Sequence, residues 1–263
     1  MLRTAEELHG FALQSGEEKL GKLEDLYFDD RFWTVRYLVV DAGGWLVQRR
    51  TLVSPRSVAE VDGLNETIST DLTKEQIEKS PAPDEHAPVD RQFEIAYNDY
   101  YAYSPYWIGN LAWGAYSAPR PPEDAAPLEE RPSWDTHLFS AADLTGFGNY
   151  TVKATDGDVG HVSGLLVDDE DWVIRYLVVS TREWLPGKRV LLPPLWTTVD
   201  WEHSTLSTDL TRDAIKASPG YDEGTEVTRA YEDTLYRHYC RESYWTDDSL
   251  CYEPPALQPP GTH

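Results

Sequence analysis

The sequence predicts a mainly β protein built from two tandem copies of one small domain. Three observations carry this. Phe32–Val40 returns as Asp171–Val179 about 139 residues later, so that Trp33, Arg36, Tyr37 and Leu38 meet Trp172, Arg175, Tyr176 and Leu177. The match extends on both sides: Gly21 meets Gly160, Leu26 meets Leu165, Asp29 and Asp30 meet Asp168 and Asp169, Arg50 meets Arg189, and Pro55 meets Pro194. The matched segments are short β-branched and aromatic runs punctuated by Gly, Pro and Asp, which is the chemistry of strands and turns. A repeat this long is a folding unit of its own, unlike a solenoid unit that needs neighbours to bury its face. Two domains of ordinary size fit in 263 residues, each long enough for a modest core.

Each copy opens with a Leu-x-Gly-Phe segment, Leu8 to Phe11 and Leu144 to Phe147. Gly-bounded strands follow at Lys22–Asp29 and His161–Asp168. An acidic turn then leads into Val35–Val40 or Ile174–Val179. Alternation there puts Val35, Tyr37 and Val39 on one face and Arg36, Leu38 and Val40 on the other. Arg36 and Arg175 are therefore expected at the rim, each paired with a nearby acid. Trp45–Val53 and Trp184–Leu192 are the next strands, each stopped by Pro. A helix of one or two turns ends each copy. Thr73 and Gln76 have the spacing of a capping box, whereas Ala214 stands where the second copy needs Gln. Pro81 and Pro219 stop the two helices. Short, regularly spaced strands suggest a small barrel or sandwich.

The last third of each copy differs in kind. Residues 82–135 hold many prolines and the aromatics Tyr97, Tyr100, Tyr101, Tyr103, Tyr106, Trp107, Trp113 and Tyr116. Residues 220–263 echo them with Tyr231, Tyr236, Tyr239, Tyr244, Trp245 and Tyr252. Ala96 and Tyr97 resemble Ala230 and Tyr231, and Tyr106 and Trp107 resemble Tyr244 and Trp245. The chain thus divides into a first domain (1–81), an aromatic arm and Pro/Glu-rich linker (82–135, the linker proper at Pro119–Pro132), a second domain (136–219), and an arm with a disordered tail (220–263). The arms have two accounts. In the first, favoured because an arm follows both copies, they wrap back over the domains or bridge them, and each hydroxyl or indole N–H finds a partner. In the second, Tyr100, Tyr101, Tyr103, Tyr106, Trp107, Trp113, Tyr244 and Trp245 form a partner-binding surface.

The formal net charge of -23 is spread about evenly over the two halves. Such a field repels phosphate backbones and anionic membranes, which argues against nucleic acid as a partner. No run of 18 apolar residues exists, so no integral membrane segment is expected, and with no secretory signal the expected location is cytoplasmic. Cys240 and Cys251 have no counterparts in the first copy and read as free thiols rather than zinc ligands. The histidines are scattered and none is duplicated, so no nucleophile–base pair belongs to the repeated unit. No catalytic residue and no cofactor are expected, and the role reads as non-enzymatic. The acidic turns, above all Asp168, Asp169 and Asp171, could offer oxygen ligands to Ca²⁺ or Mg²⁺. They lack the spacing and central Gly of an EF-hand, and a solvated turn is the ordinary reading.

Gly21, Leu26, Asp29, Asp30, Trp33, Val35, Tyr37–Val40, Arg50, Leu52 and Pro55, with their second-copy partners, resemble the PRC-barrel family over roughly residues 5–80 and 141–218. The resemblance implies two small, strongly bent PRC-type β-barrels, each followed by a short helix and an aromatic arm. The family's settings are the cytoplasmic domain of the photosynthetic reaction-centre H subunit, the C-terminal domain of a ribosome-maturation factor, and stand-alone bacterial proteins of unassigned role. This chain is most similar to the stand-alone type. The resemblance implies an internal pseudo-dimer of the two barrels, with room for further homo-oligomerisation. It also implies a protein-interaction or adaptor module for an unidentified protein partner. The alternatives are an accessory subunit of a photosynthetic electron-transport complex, a ribosome or RNA maturation factor, and a weak divalent-metal-binding protein.

Overall fold

The computed structural model describes residues 1–43, 50–82, 89–119, 138–146, 150–181 and 188–245. The first copy runs β1 (Leu2–Thr4), α1 (Ala5–Leu8), β2 (Ala12–Ser15), β3 (Glu18–Asp29), β4 (Thr34–Asp41), β5 (Arg50–Val53), β6 (Val58–Asp62), β7 (Thr67–Thr70), α2 (Lys74–Glu78) and α3 (Arg91–Tyr101). The second repeats it with β8 (Leu138–Ser140), α4 (Ala141–Thr145), β9 (Thr151–Ala154), β10 (Gly157–Asp168), β11 (Ile174–Ser180), β12 (Arg189–Leu192), β13 (Thr197–Asp200), β14 (Thr205–Thr208), α5 (Arg212–Ala217) and α6 (Arg229–His238). The starts expected at Trp45 and Trp184 for β5 and β12, the linker beyond Pro119 and the tail from Glu253 lie outside the described residues.

The two copies share one topology. One 7-stranded sheet has the order β5-β4-β3-β2-β7-β6 and the other β12-β11-β10-β9-β14-β13. The pairs β2–β7 and β9–β14 are parallel and the rest are antiparallel, so both sheets are mixed. Neither ladder closes: each ends at β5 and β6, or at β12 and β13, where a closed barrel would join these ends. Six described non-glycine residues have positive φ, and they fall in three repeat-matched pairs: Trp33 with Trp172, Glu66 with Ser204, and Ala102 with Cys240.

The seventh strand of each sheet comes from the other copy. β1 pairs with β10, Leu2 opposite Asp168, and β8 pairs with β3, Leu138 opposite Asp29. The exchange is reinforced where the copies touch at their acidic turns. Val35 N–H donates to Trp172 O at 2.8 Å, and Ile174 N–H donates to Trp33 O at 2.7 Å. Positive φ at both tryptophans (53° and 60°) turns each carbonyl toward the other copy. For a bulky residue this is strained, by about 1–3 kcal/mol, and the reciprocal hydrogen bonds hold it there. One apolar cluster accordingly runs through both copies, from Leu8 and Phe28 to Leu235 and Tyr236. Gly21 and Gly160 match because a Cβ at either would collide with the carbonyl oxygen of Asp41 or Ser180 on the neighbouring strand.

Two expectations are corrected here. Arg36 and Arg175 are not at a rim. Pairing shifts from Tyr27 opposite Tyr37 to Phe28 opposite Val35, which leaves Arg36 unmatched as a β-bulge, and the same shift leaves Arg175 unmatched in the second copy. The bulge resets the alternation. Val35, Leu38 and Val40 enter the main core, while Tyr37 and Val39 join a second cluster with Leu52, Val89 and Tyr97. The arms are also more regular than a Pro-rich wrap. Each contains a helix, α3 or α6, capped by Asp90 or Thr228, and the Ala102 and Cys240 matches follow these helices. This register sets Tyr97 against Leu235. The Ala96–Ala230 alignment is therefore off by one helical turn.

Candidate functional site

Each arm helix is pinned to its own sheet by the same layered set of side chains. In the first copy Arg36, only 1% exposed, donates from Nε to Asp29 Oδ2 at 2.6 Å and from Nη1 to the Ala112 carbonyl at 2.6 Å. Asp29 also accepts the backbone N–H groups of Arg31 and Phe32, so it shapes its turn while balancing Arg36. The Arg36 guanidinium lies 3.7 Å from the Tyr106 ring centroid and 4.9 Å from that of Trp113. Tyr106 donates to Glu94 on α3 at 2.7 Å, and Arg91 approaches the other Glu94 oxygen at 3.1 Å while covering Trp107 at 3.9 Å. Burial, ahead of the opposing Tyr106 and Arg91 contacts, pushes the Glu94 carboxyl up to about 7. Tyr97 ties the helix to the strand end, accepting Ser54 N–H at 3.0 Å and donating to Leu52 O.

The second copy rebuilds this set from Arg175, Tyr244, Glu232, Arg229 and Trp245. Arg175 lies over Tyr244 at 4.2 Å and pairs with Asp171, with Asp168 at 3.6 Å. Tyr244 and Tyr176 both donate to Glu232, and Arg229 covers Trp245 at 4.2 Å. Burial, ahead of Arg175, raises the Asp171 carboxyl to about 7. The first arm also crosses the junction: Trp113 Nε1–H donates to Asp171 O at 2.8 Å.

Among the described residues, three open clefts lie along the line where the copies meet. One, of about 350 Å³, runs between α1 and α4 and is lined by Glu6, His9 and Asp25 from one copy against Ala142, Thr145 and Ser163 from the other. Asp25 accepts the Ser140 hydroxyl at 2.6 Å and Ala142 N–H at 3.0 Å, and burial raises its pKa. The other two are repeat-related. A groove of about 410 Å³ lies between β6 and the turn at Asp169, Glu170 and Trp172. A smaller one, of about 210 Å³, lies between β13 and the turn at Asp30, Arg31 and Trp33.

A model of the PRC-barrel domain family matches residues 3–77. Residues 3–77 are a PRC-barrel domain. No curated protein matches the chain. The matched span includes β1, whose place is in the other sheet, and stops before the aromatic arm. The PRC-barrel domain therefore contributes Asp29 and Arg36 to the seam, and the segment outside the match contributes Glu94, Tyr106 and Trp113.

The predicted residues are placed as follows. Tyr106, Trp107 and Trp113 are buried against the PRC-barrel domain, their rings covering the sheet. Tyr101 and Tyr103 are half-buried and stacked on each other, and Tyr244 and Trp245 are half-buried in the second seam. Tyr100 is exposed and donates to Gln76 O. The acids Asp168 and Asp171 face Arg175, and Asp169 accepts Arg3 Nε at 2.6 Å. No group of three or more His, Cys, Asp or Glu side chains placed to hold a metal ion occurs among the described residues. Sequence reading missed the pairing of Asp29 with Arg36, the carboxylate of Glu94, and Arg56. The Arg-x-x-Glu pattern at Arg91 and Glu94, repeated at Arg229 and Glu232, is the signal that could have found the second of these.

Proposed function

We propose that this chain is a non-enzymatic protein-interaction module in which two bent, PRC-type β-barrels form one platform, the second copy being a PRC-barrel domain like the first. The observation that carries the reading is the pair of repeat-related grooves beside β6 and β13. Each groove runs beside a strand that ends its ladder, and each is walled by an acidic turn of the opposite copy. A ladder-ending strand offers unpaired backbone groups to an extended segment, which is how β-augmentation binds peptides. Glu60, Asp169 and Glu170 along the larger groove favour a basic segment, in keeping with the overall charge. The partner is thus a protein with an extended, Lys- or Arg-bearing stretch.

Photo-cross-linking tests this. A benzophenone side chain at Glu60 or Thr198 should trap the same specific polypeptide in the source cells. At Leu64, 98% exposed on the β6–β7 turn, it should not. Glu60→Lys combined with Glu170→Lys should abolish the groove cross-link while leaving the thermal transition near wild type. Equal capture from all three positions, or capture that survives the charge reversal, rejects the reading.

A further inference from the structure

Among the described residues, the first seam carries one guanidinium, that of Arg56, with no carboxylate paired to it. Arg56 sits in the 3₁₀ turn Pro55–Ser57 and is 7% exposed. Its guanidinium lies 5.9 Å from the Tyr103 ring centroid and 5.4 Å from that of Trp113. Among the described residues no carboxylate forms an ion pair with it, and its Nη2 is buried without a hydrogen-bond partner. Arg36 shares the Trp113 ring, and its Nη2 is orphaned in the same way because Nε and Nη1 are engaged by Asp29 and Ala112. Counting Arg91 and Glu94 as well, three guanidinium charges among the described residues of this seam face at most two carboxylates, Asp29 and Glu94. Buried unpaired charge is among the most unfavourable arrangements in a fold, and orphaned buried donors point to an absent ion or water.

The repeat shows that the fold does not require this arginine. The matched residue in the second copy is Leu195, which is 40% exposed. Arg56 and the ring that covers it, Trp113, are thus a specialisation of the first copy.

We propose that Arg56 and Arg36 form a binding site for a monoanionic carboxylate, seated at Trp113 beneath the first arm. The planar forks of two guanidinium groups match the two oxygens of a carboxylate. One leftover positive charge matches one negative charge, and a dianionic phosphate would overshoot it in a chain already at -23. Burial first, and Arg36 second, pull the Arg56 pKa down to about 10, so the group is still charged at neutral pH and gains most from an anion. Because Trp113 also donates to Asp171, a bound carboxylate would tighten the arm onto both copies. The site stands independently of the groove reading.

The test is ¹⁹F NMR of trifluoroacetate with the full chain. Wild type should broaden the line saturably, and acetate should reverse this where sulfate at matched ionic strength does not. Arg56→Leu, which installs the second copy's residue, should weaken binding roughly tenfold or more, Arg56→Lys should weaken it less, and Leu195→Ala should not change it. Circular dichroism confirms that each variant is folded. Displacement by acetate alone assigns a free small carboxylate. Displacement also by N-acetyl-alanyl-alanine, with its amide inert, assigns a chain end. No broadening in wild type, or undiminished broadening in folded Arg56→Leu, overturns the site.

Discussion

Arg36 is a cation inside the protein, so the residues around it depend on one another. Asp29→Asn leaves Arg36 without the carboxylate it bonds directly and should cost about 3–5 kcal/mol, the usual loss when one member of a buried pair is removed. Asp171→Asn should cost less, because Arg175 keeps Asp168 nearby and lies closer to solvent. Urea denaturation of the two variants checks the order. Glu94 makes a pH prediction. Its folded pKa of about 7 lies above the ordinary 4.5. Between those values the folded state binds more protons than the unfolded state. The stabilisation from neutral Glu94 is therefore complete below the ordinary pKa and is lost as pH rises through about 7. Glu94→Gln should flatten the fall in stability between about pH 5 and pH 7.5, read from melting temperatures across that window.

At the scale of elements, the capping box on α2 is present as its spacing indicated: Thr73 accepts Gln76 N–H, and Gln76 accepts Thr73 N–H. On α5, Thr211 accepts Ala214 N–H and nothing returns the bond. Thr73→Ala should therefore cost about 1 kcal/mol or more and Thr211→Ala less, measured as shifts in the urea midpoint. The cap was legible because its geometry is local. The strands β3, β4 and β5 and their repeats β10, β11 and β12 followed from turn and propensity signals for the same reason, whereas β2, β6 and β7 with their repeats, and the order of the sheet, were not read. The arginine in an apolar strand announced that it needed an acid, but the bulge that hides it arises from pairing with β3, which no single strand encodes. The arm helices were obscured by the prolines around them, although Asp90, Phe93, Tyr97 and Tyr101 have cap and helix-face spacing. Wrapping of the aromatic arms was legible from their presence after both copies. Arg56 was not, since its burial depends on an arm segment that reaches it from residue 113. β1 and β8 were invisible because three-residue strands carry no periodic signal.

For the whole molecule, a shared core and exchanged strands make the two copies one cooperative body. Calorimetry should show a single unfolding transition, whereas two well-separated transitions would mean that the junction contributes little. Residues 1–119 expressed alone lack β8 and leave the β3 edge uncovered. By the equivalence of β1 and β8, two such fragments should complete each other, so light scattering should report a dimer. The exchange also has a consequence in time. β1 pairs with Leu166–Asp168, so once made it must wait while some 160 further residues are made, on the order of ten to thirty seconds at ordinary rates of synthesis. Throughout that interval Leu2–Thr4 has no place of its own, and the β1-like edge of a neighbouring nascent chain on the same message competes for β3 before β8 exists. Slowing translation between residues 119 and 168 should therefore raise the yield of intertwined dimers, making the tempo of synthesis a determinant of which molecule the message produces.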